Sequence, residues 1–192
     1  MLKKRTTLNI FGTSDNQLAQ EYIRCKQDPI YFIENYCKLE HPVSGVATPL
    51  TLRPHQIDSI LSYVSHPRVF QRASRQSGKT CLLIAYSLWN ILFNPSLTVA
   101  FAVITIADAF LCRRSLVYMI QHLPSWLRLN IVTQDRKKVE LANNSKIVFI
   151  RPQLGEDRGM VTNIAIVDGW NHISAAEQTA LRETISCIVA TI

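Results

Sequence analysis

The sequence predicts an α/β fold in which a mostly parallel sheet carries helices on both faces. Residues 73–80 have the length and the Gly-Lys-Thr ending of a phosphate-binding loop, and they lie between a strand-like segment at 68–73 and an apolar helical segment at 81–93. Residues 97–104 and 163–168 are continuous β-prone runs, as in strands that are covered on both faces. Strands and helices that alternate around such a loop are typical of this class.

The loop predicts a nucleotide site. Gly78 lets backbone N–H groups turn inward toward phosphate, Lys79 reaches the β- and γ-phosphates, and the Thr80 hydroxyl takes a Mg²⁺ coordination position. Ala73 stands where a first glycine is usual, and alanine is small enough to be tolerated. A Gly-Lys-Thr triplet alone occurs by chance on many surface loops, so the prediction depends on the flanking strand and helix. The other loop residues that we expect around the nucleotide are Ser74, Arg75, Gln76 and Ser77.

The segments before the loop are predicted to be mainly helical. Residues 1–20 are polar without a clear period, and we expect a mobile lead-in there to a single domain over 21–192. Apolar residues fall at helical spacing over 17–39, and Asp28 followed by Pro29 predicts that one helix ends and a second begins. A turn-rich connector and a further helix are predicted over 42–52 and 54–64.

After the loop the predicted elements alternate. Helices are expected over 107–122 and 174–185, the second with Ser174 as its N-cap. Residues 138–150 have the pattern of a β-hairpin that turns at two consecutive asparagines. Two further short strands are predicted over 130–133 and 187–192.

Composition limits the possible functions. The 192 residues with 47% apolar content suit one domain, and the net charge of +7 favours an anionic partner such as nucleic acid, or else a solvated basic face. The five cysteines form no C-x-x-C pair, which argues against a disulfide framework or a zinc site. The longest apolar run, 81–93, is too short to span a bilayer, and no signal-peptide core is present at the N-terminus, so we expect a reducing, cytosol-like compartment.

A carboxylate suited to the second half of the site follows the strand run 164–168. A phosphate-loop ATPase needs such a group because Mg²⁺ prefers hard oxygen ligands and keeps several waters that a carboxylate can hold. Asp168 ends the strand and lies about 90 residues after the loop. We therefore predict that Thr80 and Asp168 hold the metal ion.

Four segments together resemble the ATPase domain of large terminase subunits, the DNA-packaging motors of tailed bacteriophages. They are S-R-Q-S-G-K-T at 74–80, L-R-P-H-Q at 52–56, the segment 28–36, and Arg158-Gly159 ten residues before Asp168. The resemblance covers about residues 17 to 185. It implies a P-loop NTPase of the ASCE or RecA-like kind that uses ATP and Mg²⁺ to translocate double-stranded DNA into a capsid.

The resemblance also implies partners and a location. Members of the family act as a homo-oligomeric ring with a portal protein and a small terminase subunit, in the host cytoplasm at the procapsid portal. They also carry an RNase-H-like nuclease domain with clustered acidic residues. No such cluster is present in this sequence, so we do not expect this chain to cut DNA.

Further site residues follow from the resemblance. Gln56 would read the adenine edge, Arg75 would contact the γ-phosphate, and Arg158 would neutralise charge on the transferring phosphoryl group, in this family sometimes across a subunit boundary. Three aromatic residues lie near enough in the motif to pack against the base, with ordinary core packing as the alternative: Tyr31, Phe32 and Tyr36.

One departure from the family affects hydrolysis. The strand normally ends Asp-Glu, with the glutamate activating water, whereas this chain has Asp168-Gly169. Loss of that carboxylate would slow hydrolysis by orders of magnitude and leave nucleotide binding largely intact. Glu156 and Glu177 are the substitutes that we considered, and neither is favoured. Two alternatives stay open: a nucleotide-binding packaging subunit that does not hydrolyse, and a helicase-type ATPase, although the helicase Asp-Glu-x-Asp/His motif is missing.

Overall fold

The computed structural model describes residues 5–72, 74, 76–151 and 161–192, with only the backbone described for 5–14 and for residue 184. The helices are α1 (Arg5–Gln27), α2 (Pro29–Tyr36), α3 (Pro54–Ser65), α4 (Lys79–Phe93), α5 (Ile106–Gln121) and α6 (Ala175–Thr184), and a 3₁₀ turn spans Trp170–His172. The strands are β1 (Lys38–Glu40), β2 (Ala47–Pro49), β3 (Arg68–Gln71), β4 (Thr98–Ala102), β5 (Ile131–Gln134), β6 (Lys138–Leu141), β7 (Lys146–Ile150), β8 (Ile164–Asp168) and β9 (Cys187–Thr191).

Seven of these strands form one sheet in the order β3-β9-β8-β4-β7-β6-β5. The first five run parallel to one another, and β6 and β5 extend the sheet through antiparallel pairs. The predicted hairpin is β6 with β7, and the predicted mostly parallel sheet is confirmed. Strand β9 lies between β3, which leads into the phosphate-binding loop, and β8, which ends in Asp168.

Helices cover both faces of the sheet, as predicted. On one face, α2 to α5 pack in a large core against strand residues such as Phe101, Ile166 and Val189. On the other face, Leu181 of α6 and the 3₁₀ turn cover a smaller cluster that includes Val167. Both faces of the central strands are therefore covered, which explains why the middle residues of β4, β8 and β9 are all apolar.

Helix α4 is buried along nearly its whole length. Two polar residues that interrupt its apolar sequence, Ser87 and Asn90, are also buried. Burial is possible because each side chain donates a hydrogen bond to a backbone carbonyl of the same helix. Ser87 donates to the Leu83 carbonyl at 2.7 Å, and Asn90 donates to the Tyr86 carbonyl at 2.9 Å. The helix that follows the loop can therefore sit between the sheet and the outer helices.

Two elements differ from the sequence prediction. Helix α1 begins at Arg5, well before the Gln17 start that the apolar spacing indicated. The stretch predicted as a connector contributes a strand to a two-stranded hairpin, in which Lys38 pairs with Pro49. The mobility of residues 1–20 and the domain bounds stay predictions. Among the described helices, none combines the length and the apolar character needed to cross a membrane.

Candidate nucleotide site

The phosphate-binding loop enters α4 through a glycine in a left-handed conformation. Gly78, at φ 78° and ψ 14°, is the N-cap of the 15-residue helix. A Cβ at this position would lie 2.8 Å from Nε2 of Gln56, so both the backbone angle and the close approach require glycine. The free N–H groups of the first helical turn, with the positive end of the helix dipole, face the loop and favour an anion there.

The structure brings together the three residues predicted to hold phosphate and metal. The Thr80 hydroxyl donates a hydrogen bond to Oδ2 of Asp168, and Nζ of Lys79 lies 3.7 Å from Oδ1 of the same carboxylate. Asp168 ends β8 and the other two begin α4, so the contact joins elements far apart in sequence. Thr80 and Asp168 offer the adjacent hard oxygen donors that suit Mg²⁺, which takes one or two protein ligands plus phosphate oxygens and water.

A fourth residue, Thr191, which the sequence analysis did not single out, holds this carboxylate in place. Its hydroxyl donates to Oδ1 of Asp168 at 3.0 Å and accepts the N–H of Gly169 at 3.1 Å. Thr191 is 1% exposed and lies in register with Asp168 at the ends of two parallel strands. The sequence shows only a threonine near the end of the last predicted strand. That threonine reaches Asp168 because β9 pairs with β8, and the sequence does not reveal this pairing.

Gln56 joins α3 to the loop. Its side-chain oxygen accepts the N–H of Arg53 at 2.9 Å at the start of α3, and its Nε2 donates to the Ser77 carbonyl at 3.2 Å. The side chain is buried and lies against Gly78, on the side of α3 that faces the loop. Its contact with adenine stays a prediction.

The other loop residues lie around the same opening. Ser74 and Gln76 are exposed, and Gln76 has a positive φ of 60°. The Ser77 hydroxyl is buried and has no hydrogen-bond partner within the described part of the chain. A phosphate oxygen would satisfy such a group. Arg75 lies outside the described residues.

Two cavities meet at Lys79. One, of about 410 Å³, lies between α4, α5 and the end of β8, and Thr80, Asp168 and His172 are among its lining residues. The other, of about 240 Å³, lies beside α3, where Gln56 contributes to its wall. The loop therefore lies between two cavities, one lined by Asp168 and the other by Gln56.

No family model matches the sequence. Among solved structures, the fold is similar to that of the HK97 bacteriophage large terminase, with a TM-score of 0.66 and 20% identity over 87% of this chain and 37% of that chain. The chain has the fold of a large terminase ATPase domain. A variant of the Thermus phage P74-26 large terminase ATPase domain is also similar, with a TM-score of 0.57 and 15% identity over 72% of this chain and 64% of that chain. The chain thus spans little more than a third of the HK97 terminase.

Within this terminase-type fold, the aromatic residues of α2 belong to the core and not to a base pocket. Phe32 packs edge-on against Phe93, with ring centroids 5.4 Å apart, at the end of α4 opposite the loop. Tyr31 and Tyr36 both donate to Oε1 of Glu21 at 2.6 Å. At 1.5 Å per residue, α4 separates this cluster from the loop by roughly 20 Å. Of the two alternatives for these aromatic residues, packing against the base and packing in the core, the structure shows core packing.

The glycine predicted to stand in place of a water-activating glutamate is crowded. Gly169 has φ 99° and ψ 57°, and a Cβ there would lie 3.0 Å from Cδ1 of Ile104 and 3.2 Å from Cδ2 of His172. Of the two substitutes considered, Glu177 caps α6 by accepting the N–H of Ser174 at 2.9 Å and its hydroxyl at 2.6 Å. Glu156 and Arg158 lie outside the described residues.

Proposed function

We propose that this chain is the ATP-binding and ATP-hydrolysing domain of a viral DNA-packaging motor, coupling the nucleotide cycle to translocation of double-stranded DNA into a capsid. The observation that carries the proposal is the meeting of Lys79 and Thr80, at the start of α4, with Asp168 at the end of β8. The fold shared with two large terminases supports the packaging role.

In the proposed complex, the loop from Ser74 to Thr80 surrounds the phosphates, and Lys79 carries positive charge to the β- and γ-oxygens. The buried Ser77 hydroxyl supplies one more polar contact. Gln56 stands on the side of the cavity beside α3, where the base would lie, and its amide retains one hydrogen and one lone pair for adenine after its two contacts within the chain.

Thr80 and Asp168 would hold Mg²⁺ in this proposal. A Mg²⁺ ion held by these two residues would supply positive charge to offset the negative charge that develops on the phosphate oxygens. Thr191 keeps Asp168 oriented through the hydrogen bond to Oδ1. The structure supports this arrangement because the carboxylate is already turned toward the start of α4.

The remaining assignments concern charge and assembly. Arg75 would contact the γ-phosphate, and Arg158 would act on the transferring phosphoryl group of the same or of a neighbouring subunit. The chain would work as a homo-oligomeric ring with a portal protein and a small terminase subunit in the host cytoplasm. Its net charge of +7 suits contact with DNA phosphates, which would weaken steeply as salt concentration rises.

Binding of ATP by Lys79→Ala tests the proposal most directly. Loss of one charged phosphate contact should weaken the affinity by about 10- to 100-fold, whereas Lys26→Ala, a matched change on the exposed surface of α1, should leave it unchanged. Calorimetric titration with ATP and Mg²⁺ measures both. Equal affinities for the parent and Lys79→Ala would refute a nucleotide site at this loop.

A second candidate, a packaging subunit that binds nucleotide without hydrolysing it, is favoured by Gly169. That residue has no side chain to orient water, and its surroundings leave little room for one. Steady-state release of phosphate from ATP by the parent chain distinguishes the two candidates, because only the first predicts turnover.

A further inference from the structure

Hydrolysis of a bound nucleotide requires an attacking water held by a hydrogen-bond acceptor. Lys79, Thr80 and Asp168 meet in the cavity of about 410 Å³, so this acceptor must line the same space. The question arises only if the proposed function holds, since it concerns the chemistry of that same site. Gly169, the residue after Asp168, has no side chain that could hold this water. The candidates for the acceptor are therefore the other polar groups that line the cavity.

The two carboxylates of this cavity are already engaged. Asp168 accepts hydrogen bonds from Thr80 and Thr191. Asp108 begins α5 and accepts the N–H of Thr105 at 3.2 Å and its hydroxyl at 2.7 Å, both on the same oxygen. These bonds form one half of the capping box of α5, and the Thr105 hydroxyl forms the other half by accepting the N–H of Asp108.

The thiols of the cavity are also poor acceptors. They belong to Cys81 and Cys112. Sulfur is only a weak hydrogen-bond acceptor, and Cys112 is also buried. The Ser115 hydroxyl is a weak base. Among the described residues of this wall, His172 offers the one ring nitrogen that can accept a hydrogen bond from water and take up its proton.

His172 also stands in the right place. Its Cδ2 lies 3.2 Å from the point where a side chain on Gly169 would begin, and Nε2 is bonded directly to Cδ2. The backbone N–H of His172 donates to the Gly169 carbonyl at 3.0 Å, which ties the histidine to the residue after Asp168. The side chain is exposed, and its ring forms no hydrogen bond to any residue that the structure describes. Water can therefore reach it.

We infer that His172 is the catalytic residue that orients the attacking water. The neutral ring accepts a hydrogen bond from that water at its unprotonated nitrogen. As the water oxygen forms its bond to the γ-phosphorus, the bond from that phosphorus to the β,γ-bridging oxygen breaks and ADP leaves with the electron pair. The proton that the water loses passes to the imidazole and then to solvent.

The experiment measures ATP affinity and single-turnover hydrolysis for the parent, His172→Ala and His172→Gln, with and without added free imidazole. His66→Ala, which removes an exposed histidine at the end of α3, is the matched control. His172→Ala should bind ATP as the parent does and lose hydrolysis by about 100-fold or more. Free imidazole should restore part of the rate to His172→Ala, in which space is opened, and none to His172→Gln or to the parent.

Three results would overturn the inference while leaving the nucleotide site intact. They are hydrolysis by His172→Ala within about twofold of the parent, loss of hydrolysis that imidazole does not rescue, and a parent chain that binds ATP without hydrolysing it. The first would contradict the loss of about 100-fold or more expected when an acid–base group is removed. Failure of the parent to bind ATP at all would refute the proposed function itself, and the affinity measurement separates that case from the others.

Discussion

Thr191 and Asp168 are joined by a hydrogen bond of 3.0 Å across the ends of two parallel strands, and the same threonine hydroxyl accepts the N–H of Gly169. One hydroxyl thus satisfies a buried backbone donor and holds the carboxylate that faces Lys79. Strand β9 contributes to the site through this residue, although no residue of that strand belongs to the loop.

Replacing Thr191 with valine keeps the shape of the side chain and removes both hydrogen bonds. The buried N–H of Gly169 then lacks a partner, so the free energy of unfolding should fall by about 1–3 kcal/mol. Thr179→Val, on the exposed side of α6, is the matched control, because it removes only a hydroxyl bond to its own helix. Denaturant unfolding of both variants measures the difference, and equal stabilities would show that the Thr191 bonds contribute little.

Gly169→Glu should fail to restore a water-activating group. The left-handed backbone costs a residue with a Cβ about 1–2 kcal/mol, and contact with Ile104 and His172 adds to that cost. We expect lower stability and no gain in ATP hydrolysis relative to the parent. Gly169→Ala separates the backbone cost from any effect of the carboxylate. A large gain in turnover specific to Gly169→Glu would show that the site accepts the acid after all.

Gly78→Ala should be destabilising for two separable reasons, a positive φ and a clash with Gln56. In the Gln56→Ala background the clash is absent, so Gly78→Ala should cost less there, with a coupling free energy of about 0.5–3 kcal/mol. Gly45→Ala is the control for backbone strain alone, since Gly45 has φ 69° and open space around its Cβ position. Additive effects in the Gly78 and Gln56 cycle would contradict the close contact.

Glu21 should make stability depend on acid pH. Hydrogen bonds from the hydroxyls of Tyr31 and Tyr36 lower the pKa of Glu21 from its ordinary value of 4.5. The stabilisation is therefore complete above that value and is lost as pH falls through the lower folded-state pKa. Unfolding curves from pH 6 to about pH 3 should show a smaller decline for Glu21→Gln than for the parent. Glu34→Gln, on the exposed face of α2, should decline as the parent does.

The elements of the central sheet and the carboxylate could be predicted because their signals are local. Apolar runs mark β4 and β8, and an acid at the end of such a run marks Asp168. The role of Thr191 could not be predicted this way, because it depends on the insertion of β9 between β3 and β8. The contact of Gln56 with the Ser77 carbonyl depends likewise on how α3 packs against the loop.

Boundaries and short elements were the other differences, and they have physical causes. The first part of α1 is mixed and polar, so no apolar stripe marks it as helical, and the apolar spacing predicts a helix only from Gln17 onward. Strands β1 and β2 have three residues each and pair only with one another within the described part of the chain, so neither has the alternating pattern of a longer strand. The aromatic residues of α2 were ambiguous because core packing and base stacking use the same side chains.

The burial of α4 on nearly every side makes this helix a stiff rod between the loop and the aromatic residues around Phe93. A densely packed interior resists local deformation, so a displacement at Lys79 cannot be absorbed within the helix. If Lys79 shifts when nucleotide binds, we expect Phe93 and its neighbour Phe32 to shift with it. Residues of α1 and α2 contact α4 at Phe93, so a displacement of the loop would be transmitted through α4 to these two helices.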